Sequence, residues 1–353
     1  MSNIDYEALI SDADPDNRIL AAEQGYGWEV LIYDPVPEVR LAVALQGYQL
    51  EVLLEDDDPT VREAAMYMSY VTDISPIIRA VAAEHGFGLN TLVHDGWDSV
   101  KIAVAKQGFG LNILVHDESW YVRQEVARQG YGLDILINDQ NYLVRREVAR
   151  QNYKLDVLIN DPEAYVRTAV AEQNYALDVL VNDESWHVRR VVAYRGYGLD
   201  KLINDSVPEV RAAVANKGYR LDILIHDESW YVRAEVARQG YGLHILVKDK
   251  DWKVRAAVAR QRYGLDMLVH DESEIVRKVV ANQGYGLDIL IQDKDWHVRA
   301  AVAEQGHGLG ILINDENSWV RIAVARQGYG LSILVNDDNI DVCTTAEIML
   351  SKL

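Results

Sequence analysis

The sequence predicts an all-α repeat fold, a solenoid of about sixteen 22-residue units, each one α-helix followed by one short α or 3₁₀ helix. Three observations predict it. A marker arginine, usually preceded by valine, recurs at Arg123, Arg145, Arg167, Arg189, Arg211, Arg233, Arg255, Arg277, Arg299 and Arg321, always 22 residues apart, with Lys101 before and Cys343 after. Helix-start and helix-stop residues recur at fixed places, and a Leu-x-x-Leu segment followed by an aliphatic residue closes nearly every complete copy. Self-similarity at a period in the twenties marks units that pack only on their neighbours.

Residues 117–138, DESWYVRQEVARQGYGLDILIN, serve as the reference copy. Upstream, residues 1–12 read as half a unit, because Leu9-Ile10-Ser11-Asp12 aligns with Leu136-Ile137-Asn138-Asp139. Arg18, Arg40 and Arg62 keep the marker spacing. At Pro37-Glu38-Val39-Arg40 and 56–62 a pattern D-x-x-P-x-V-R emerges, with proline at the first helical position, where its missing N–H costs nothing. Later units hold Trp120, Tyr142, Trp186, Trp230, Trp252 or Trp296 there. The preceding residue is a capping type: Ser119, Asn141, Ser185, Ser229, Asp251, Ser273, Asp295 or Asn317. The first helix is predicted over 120–129, stopping at Gly130, a residue suited to a left-handed C-terminal turn. Leu133-Asp134-Ile135-Leu136-Ile137 is then expected as one turn of helix in a second layer. A strand competes for this run, but leucine at its first and fourth places favours the helix.

One interval, Arg62 to Arg79, is short by five. Tyr70 joins Val71 where the reference copy has 132–136, so that unit should lack its second element, with bulky Met66-Tyr67-Met68 refilling the volume. A tolerated deletion and a hinge both fit. After Asp337 the copy degrades, as a terminal cap does. The expected organisation is 1–73 as N-terminal cap and first repeats, 74–336 as the main array and 337–353 as a capping helix.

The hydrophobic share of 49% and charged share of 25% suit a folded protein. A formal charge of −20 disfavours anionic membranes and nucleic acid globally. Cys343, the single cysteine, excludes an intrachain disulfide and a cysteine-built metal site. The acidic start MSNIDYEALISD is neither a secretory signal nor a membrane span, so a cytoplasmic location is expected.

At D-x-x-P-x-V-R the chain resembles HEAT-type repeats. At Val122-Arg123-x-x-Val126-Ala127-x-Gln129 followed by Leu-x-x-Leu-x-x-Asp it is also similar to the leucine-rich repeat variant. That resemblance implies a right-handed superhelix of alternating α and 3₁₀ helices. This chain's unit is two residues shorter than that variant's usual unit, and it lacks the N-terminal cysteine cluster of one member type, so no iron–sulfur cofactor carries over. HEAT-like arrays also include DNA glycosylases for alkylated bases and a di-iron hydroxylase, which supply the enzymatic alternatives.

Residues needed in every copy read as framework. Asp117, Asp139, Asp161, Asp183 and Asp205 stand six places before the marker arginine, and as the HEAT resemblance implies, Asp and Arg should form a ladder of charge-assisted hydrogen bonds between units. Gln129, Gln151, Gln239 and the Tyr131 series follow the same logic. His94, His116, His226 and His270 occupy one repeat position that elsewhere holds Asn138, Lys248 or Gln292, which marks a tolerant surface place; no metal is expected. Gly306-His307-Gly308-Leu309-Gly310 looks superficially like a phosphate loop, but it is the Gly-Tyr-Gly turn with two changes. Cys343 is expected to be a small buried residue.

What varies is the outer half of the first helix. A 100° step from Val122 places Trp120, Tyr121, Gln124 and Arg128 there. Equivalent sets are Tyr142, Arg146 and Arg150; Trp186, His187 and Arg190; Trp230, Tyr231 and Arg238; Trp252, Lys253 and Arg260; and Trp319 with Arg326. Glu125 with Arg128, Glu147 with Arg150 and Glu235 with Arg238 should pair locally, leaving Arg146, Arg190, Arg260 and Arg326 without such a partner. Packing accounts for part of this stripe, and Trp, Tyr and Arg also commonly anchor interfaces. The expectation is therefore a non-enzymatic scaffold for a protein or peptide partner, without cofactor. The alternatives are nucleic-acid binding or base excision through the same stripe, and an acidic array that mimics DNA to occupy a DNA-binding protein.

Overall fold

In a computed structural model describing residues 5–352, the period becomes an alternation of nine-residue and four-residue α-helices. Residues 1–4 and 353 lie outside the described residues, and with them the outer ends of the half-unit at 1–12 and of the segment 337–353. Among the described residues there are 31 helices and no strand. Leu133–Leu136 is one α turn, as leucine spacing predicts. Two compact units divide the chain, Met1–Tyr175 and Ala176–Leu353.

Each long helix starts where an aspartate folds the backbone back on itself. Asp117 Oδ1 accepts the Ser119 N–H at 2.9 Å, after which the helix runs Trp120–Arg128 with Gln129 as its C-cap. Asn141, Ser229, Asp251, Asp295 and Asn317 cap with their own side chains, as expected. Ser119, Ser185 and Ser273 do not. The aspartate two residues earlier serves all of these starts, so a weak serine cap is sufficient.

The helix ends on Gly130, at φ 74°, whose N–H reaches Ala127 O at 2.9 Å. Gly132, at φ 60°, opens the short helix, its carbonyl accepting from Ile135 and Leu136. Space as well as dihedral demands glycine here, because a Cβ would lie 2.6 Å from Cγ2 of Val115 in the preceding copy. Four copies put a side chain at this place, Gln49, Lys154, Ala176 and Arg220, all still left-handed at φ 44–48°. The core is built from Val122, Val126, Ala127 and Leu136, all buried, and their counterparts. Small alanine beside two valines lets successive helices approach closely.

The expected ladder forms, with a register that spans two copies. Arg123 Nη1 donates to the backbone carbonyl of Asp117, six places back, at 2.7 Å. Its Nε and Nη2 donate to the carboxylate of Asp139, sixteen places on, at 2.5 and 3.0 Å. The same three bonds recur at Arg40, Arg79, Arg145, Arg211, Arg233, Arg255, Arg277, Arg299 and Arg321. Bonding to Arg321 holds the Asp337 carboxyl below its ordinary range. At Asp249 burial pushes the other way, but Arg233 and the Asp251 N–H outweigh it. The carboxylates in turn push the guanidinium values up.

Two interior places depart from this pattern. Lys101 reaches Asp117 with a single ammonium bond at 2.6 Å. Arg62 keeps its grip on the carbonyls of Asp56 and Asp57, at 2.5 and 3.0 Å, but has no carboxylate partner among the described residues. That loss follows from the short interval. The helix Pro59–Tyr70 extends to twelve residues and Pro76–Glu84 follows without a short helix between them. Val71 nevertheless keeps its register: a Cβ on Gly88 would lie 2.3 Å from it, as one on Gly110 would lie 2.4 Å from Val93. Tyr67 does most of the expected refilling, stacking on His85 and Phe87 with centroids 4.2 and 5.0 Å away and meeting Tyr70 edge-on. At the other end, Ile340–Leu350 forms the terminal helix, and Cys343 Sγ takes the arginine's carbonyl bond, to Asp337 O at 2.8 Å. Cys343 is half-buried rather than buried.

Candidate binding surface

The aromatic residue of the first helical turn points away from the core, because Val122, two places on and about 200° around the helix, faces it. Trp120 is therefore half-buried and lies against Tyr121, with centroids 3.6 Å apart, while Tyr121 stays 53% exposed. Trp186 stacks on His187 at 3.8 Å, and Trp230 meets Tyr231 edge-on at 5.7 Å. Between helices, Tyr142 stacks on Tyr165 at 5.7 Å and Trp296 on Trp319 at 6.4 Å. Trp319 sits at the second helical position, since its helix begins at Ser318, and this leaves it 54% exposed.

Cations join the same row. The Lys253 ammonium lies 3.9 Å over the Trp230 ring and 5.6 Å over that of Trp252, linking two successive helices. The Arg190 guanidinium lies 5.0 Å over Trp186. A cation over an aromatic face contributes about 0.5–1 kcal/mol at such exposed places.

At the C-terminal half the arginines divide into two groups. Arg128 bonds Glu125 and approaches Glu147 at 3.7 Å; Arg150 lies 3.7 Å from both Glu147 and Glu172; Arg238 bonds Glu235 at 2.7 Å. The local pairs form as spacing predicts, and the first two also cross to the next helix. Glu125 and Glu147 are only 4% and 5% exposed, so these are buried acids under surface arginines rather than pairs of surface charges. Arg260 and Arg326 are exposed and carry no ion pair among the described residues. Arg146 and Arg190 are half-buried, each with a buried Nε that has no hydrogen-bond acceptor there. Glu147 Oε2 and Thr168 Oγ1 are likewise buried without a hydrogen bond. Three of these four atoms belong to Tyr142–Arg150 and Ala164–Glu172, side by side in one compact unit.

His94, His116, His226 and His270 are all exposed, at the one loop position their register gives them. Among the described residues no three His, Cys, Asp or Glu side chains gather as a metal site would require. His307 pairs with Asp288 at 2.9 Å, and Gly306 and Gly308 make the ordinary left-handed turn of the repeat. No described helix is long and apolar enough to cross a membrane.

The segment Leu133-Asp134-Ile135-Leu136-Ile137, expected as one helical turn of a second layer, also presents a surface. Leu136 is buried, but Ile135 is exposed, and so are its counterparts Ile113, Val157, Ile223 and Ile245. The signal was available: four apolar residues in five exceed what one helical turn can turn inward.

No family model matches the chain, and no curated protein does. A solved structure described as "Structural Basis of Tubulin Recruitment and Assembly by Microtubule Polymerases with Tumor Overexpressed Gene (TOG) Domain Arrays" aligns with 98% of this chain and 93% of its own, at 12% identity and a TM-score of 0.20. At that TM-score the likeness decides nothing about fold or partner, and the architecture rests on the helices and ion-pair rungs themselves.

Proposed function

We propose that the chain is a non-enzymatic scaffold that grips a protein or peptide partner through the outer face of its long helices. Trp120, Trp186, Trp230, Trp252 and Trp319 with their aromatic neighbours act as anchors. The observation that carries this reading is how those rings are held. Each lies against a neighbouring ring or cation and keeps part of its surface outward. Side chains ordered before binding lose little entropy on binding, and Trp, Tyr and Arg supply most interface hot spots. The exposed Arg260 and Arg326, without an ion pair among the described residues, offer donors to a partner's carbonyls or carboxylates.

Charge favours a protein over nucleic acid on this face. Arg128, Arg150 and Arg238 are already neutralised by glutamates, and the net charge of −20 opposes a polyanion. The test is a partner recovered with the full chain, purified, and titrated against Trp186→Ala, Trp230→Ala and Trp252→Ala. Each truncation should weaken binding by about 2 kcal/mol, roughly thirtyfold; affinities unchanged across all three would remove the anchor assignment. A salt-sensitive mobility shift with single- or double-stranded DNA would instead favour the nucleic-acid reading.

A further inference from the structure

The short interval between Arg62 and Arg79 leaves two groups uncovered in the unit Met1–Tyr175. In a complete copy the run 132–139 makes two contacts. Gly132 closes over Val115, where a Cβ would lie 2.6 Å from Cγ2, and Asp139 at the other end takes the Nε and Nη2 bonds of Arg123. The run 27–34 does the same, with Gly27 over Ile10 and Asp34 on Arg18. At Leu54 and Arg62, which hold the places of Val115 and Arg123, the corresponding run would begin with the five residues absent between Tyr70 and Val71. Leu54 is accordingly 39% exposed, whereas Ile32, Val93 and Val115 at the same repeat position are 2–3% exposed.

Arg62 shows the other half of the loss. Its Nη1 holds the carbonyls of Asp56 and Asp57, but its Nε and Nη2 carry no hydrogen bond among the described residues, and neither atom is sealed from solvent. The acids nearby are already engaged. Asp56 and Asp57 are held by Arg40, and Asp58 accepts the Thr60 N–H at the start of its helix. Asp73 does not return to Arg62, because the helix Pro59–Tyr70 carries the chain onward, and it accepts from the Ser75 N–H at 2.7 Å instead.

We propose that this place docks a partner segment built like the absent run: a glycine, one helical turn with leucine at its first and fourth places, and an aspartate three residues after the second leucine. The complete copies identify the occupant, since they seat such a run against the same two repeat positions. Its aliphatic side covers Leu54, and its carboxylate takes the two outer donors of Arg62 in a bidentate, charge-assisted pair. A lysine or arginine at the aspartate position would set two cations together and be rejected. The site is separate from the tryptophans of the long helices and does not depend on them.

The experiment titrates the full chain into a fluorescein-labelled peptide, Gly-Leu-Asp-Ile-Leu-Ile-Asn-Asp-Gln-Asn, which copies residues 132–141. A second peptide carries asparagine in place of the last aspartate. Anisotropy should show the aspartate peptide binding about tenfold more tightly than the asparagine peptide. Leu54→Ser and Arg62→Met should each lower its affinity about tenfold, at an unchanged far-UV circular dichroism spectrum. The asparagine peptide should lose nothing further on Arg62→Met, because the pair it would break is already gone. Inserting Gly-Leu-Asp-Ile-Leu between Tyr70 and Val71 should fill the place from within the chain and abolish peptide binding. Trp186→Ala, Trp230→Ala and Trp252→Ala should leave peptide binding intact, so failure here and failure of the long-helix reading are separable. Absence of binding, equal binding of the two peptides, or an affinity that Arg62→Met leaves unchanged would overturn the proposal. So would self-association of the chain that Leu54→Ser abolishes, which would make a second copy the occupant.

Discussion

The ladder yields the sharpest test, because the molecule contains its own control. Arg255 makes two bonds to the Asp271 carboxylate, at 2.6 and 2.8 Å, and two to the carbonyls of Asp249 and Lys250, at 2.8 and 3.3 Å. Its further contact, to Glu272 at 3.2 Å, is with a solvent-exposed side chain and contributes little. Arg62 makes the two carbonyl bonds and lacks the carboxylate. Arg255→Met would leave Asp271, whose side chain is 5% exposed, as a buried carboxylate held only by the Ser273 N–H at 2.9 Å. Removing one partner of such a pair costs about 3–5 kcal/mol. Arg62→Met loses only bonds to carbonyls that water reaches, about 1–2 kcal/mol. The expected difference is therefore about 2–3 kcal/mol. Urea unfolding followed by tryptophan fluorescence and far-UV circular dichroism measures it, through midpoints at constant m. On heating, Arg255→Met should lower the melting temperature by roughly 6–20 °C for a cooperative unit of this size. Pairing Arg255→Met with Asp271→Met should recover about 2 kcal/mol, because the stranded charge is gone. Equal costs at Arg255 and Arg62 would show that the carbonyl grip, and not the bond between copies, carries the ladder.

Three further outcomes follow from the same geometry. Lys101→Arg should restore a two-pronged rung to Asp117 and raise stability by about 1 kcal/mol in the same urea titration; no gain would mean that the single bond of 2.6 Å already suffices. Lys154→Gly should stabilise by about 1 kcal/mol, because the backbone there sits at φ 44° where a side chain is strained; a loss of stability would show that the strain is absorbed elsewhere. As for pH, Asp205, Asp249, Asp293 and Asp337 are held below their ordinary values in the folded state. Their contribution is thus complete above the unfolded value of about 3.9 and is lost as pH falls through the folded values. The urea midpoint should stay level from pH 7 to 5 and fall below about pH 4; a decline already under way between pH 7 and 5 would assign the linkage to histidines instead.

Sequence reading succeeded where a residue's role repeats and its cause is local. Gly130 is legible because ending a helix in left-handed backbone has one cheap solution, and Leu133–Leu136 because leucine at the first and fourth places fits one helical turn, with Leu136 buried and Leu133 half-buried. That Asp and Arg bond between copies was legible in their recurrence, but not which groups of Asp117 and Arg123 take part. The helix start lies between them, so only the Asp117 carbonyl is within reach, and the carboxylate that Arg123 holds comes from Asp139. The burial of Glu125 and Glu147 was not legible either, because that place holds Ala103 and Ala169 in adjoining copies and a lone acid among alanines looks solvent-facing.

The Ile135 row shows why repetition alone misleads. Repetition in nearly every copy marks framework where function needs one constellation in one place. That reasoning holds for catalysis, where reacting atoms meet at a point. It does not hold for an elongated ligand that itself repeats, because such a ligand requires the same contact at every step. Burial separates the two cases: Leu136 repeats and is buried, whereas Ile135 repeats and is exposed. An aliphatic side chain left about half exposed at the same position across successive turns gives up only part of the roughly 1.5–3 kcal/mol that full burial contributes.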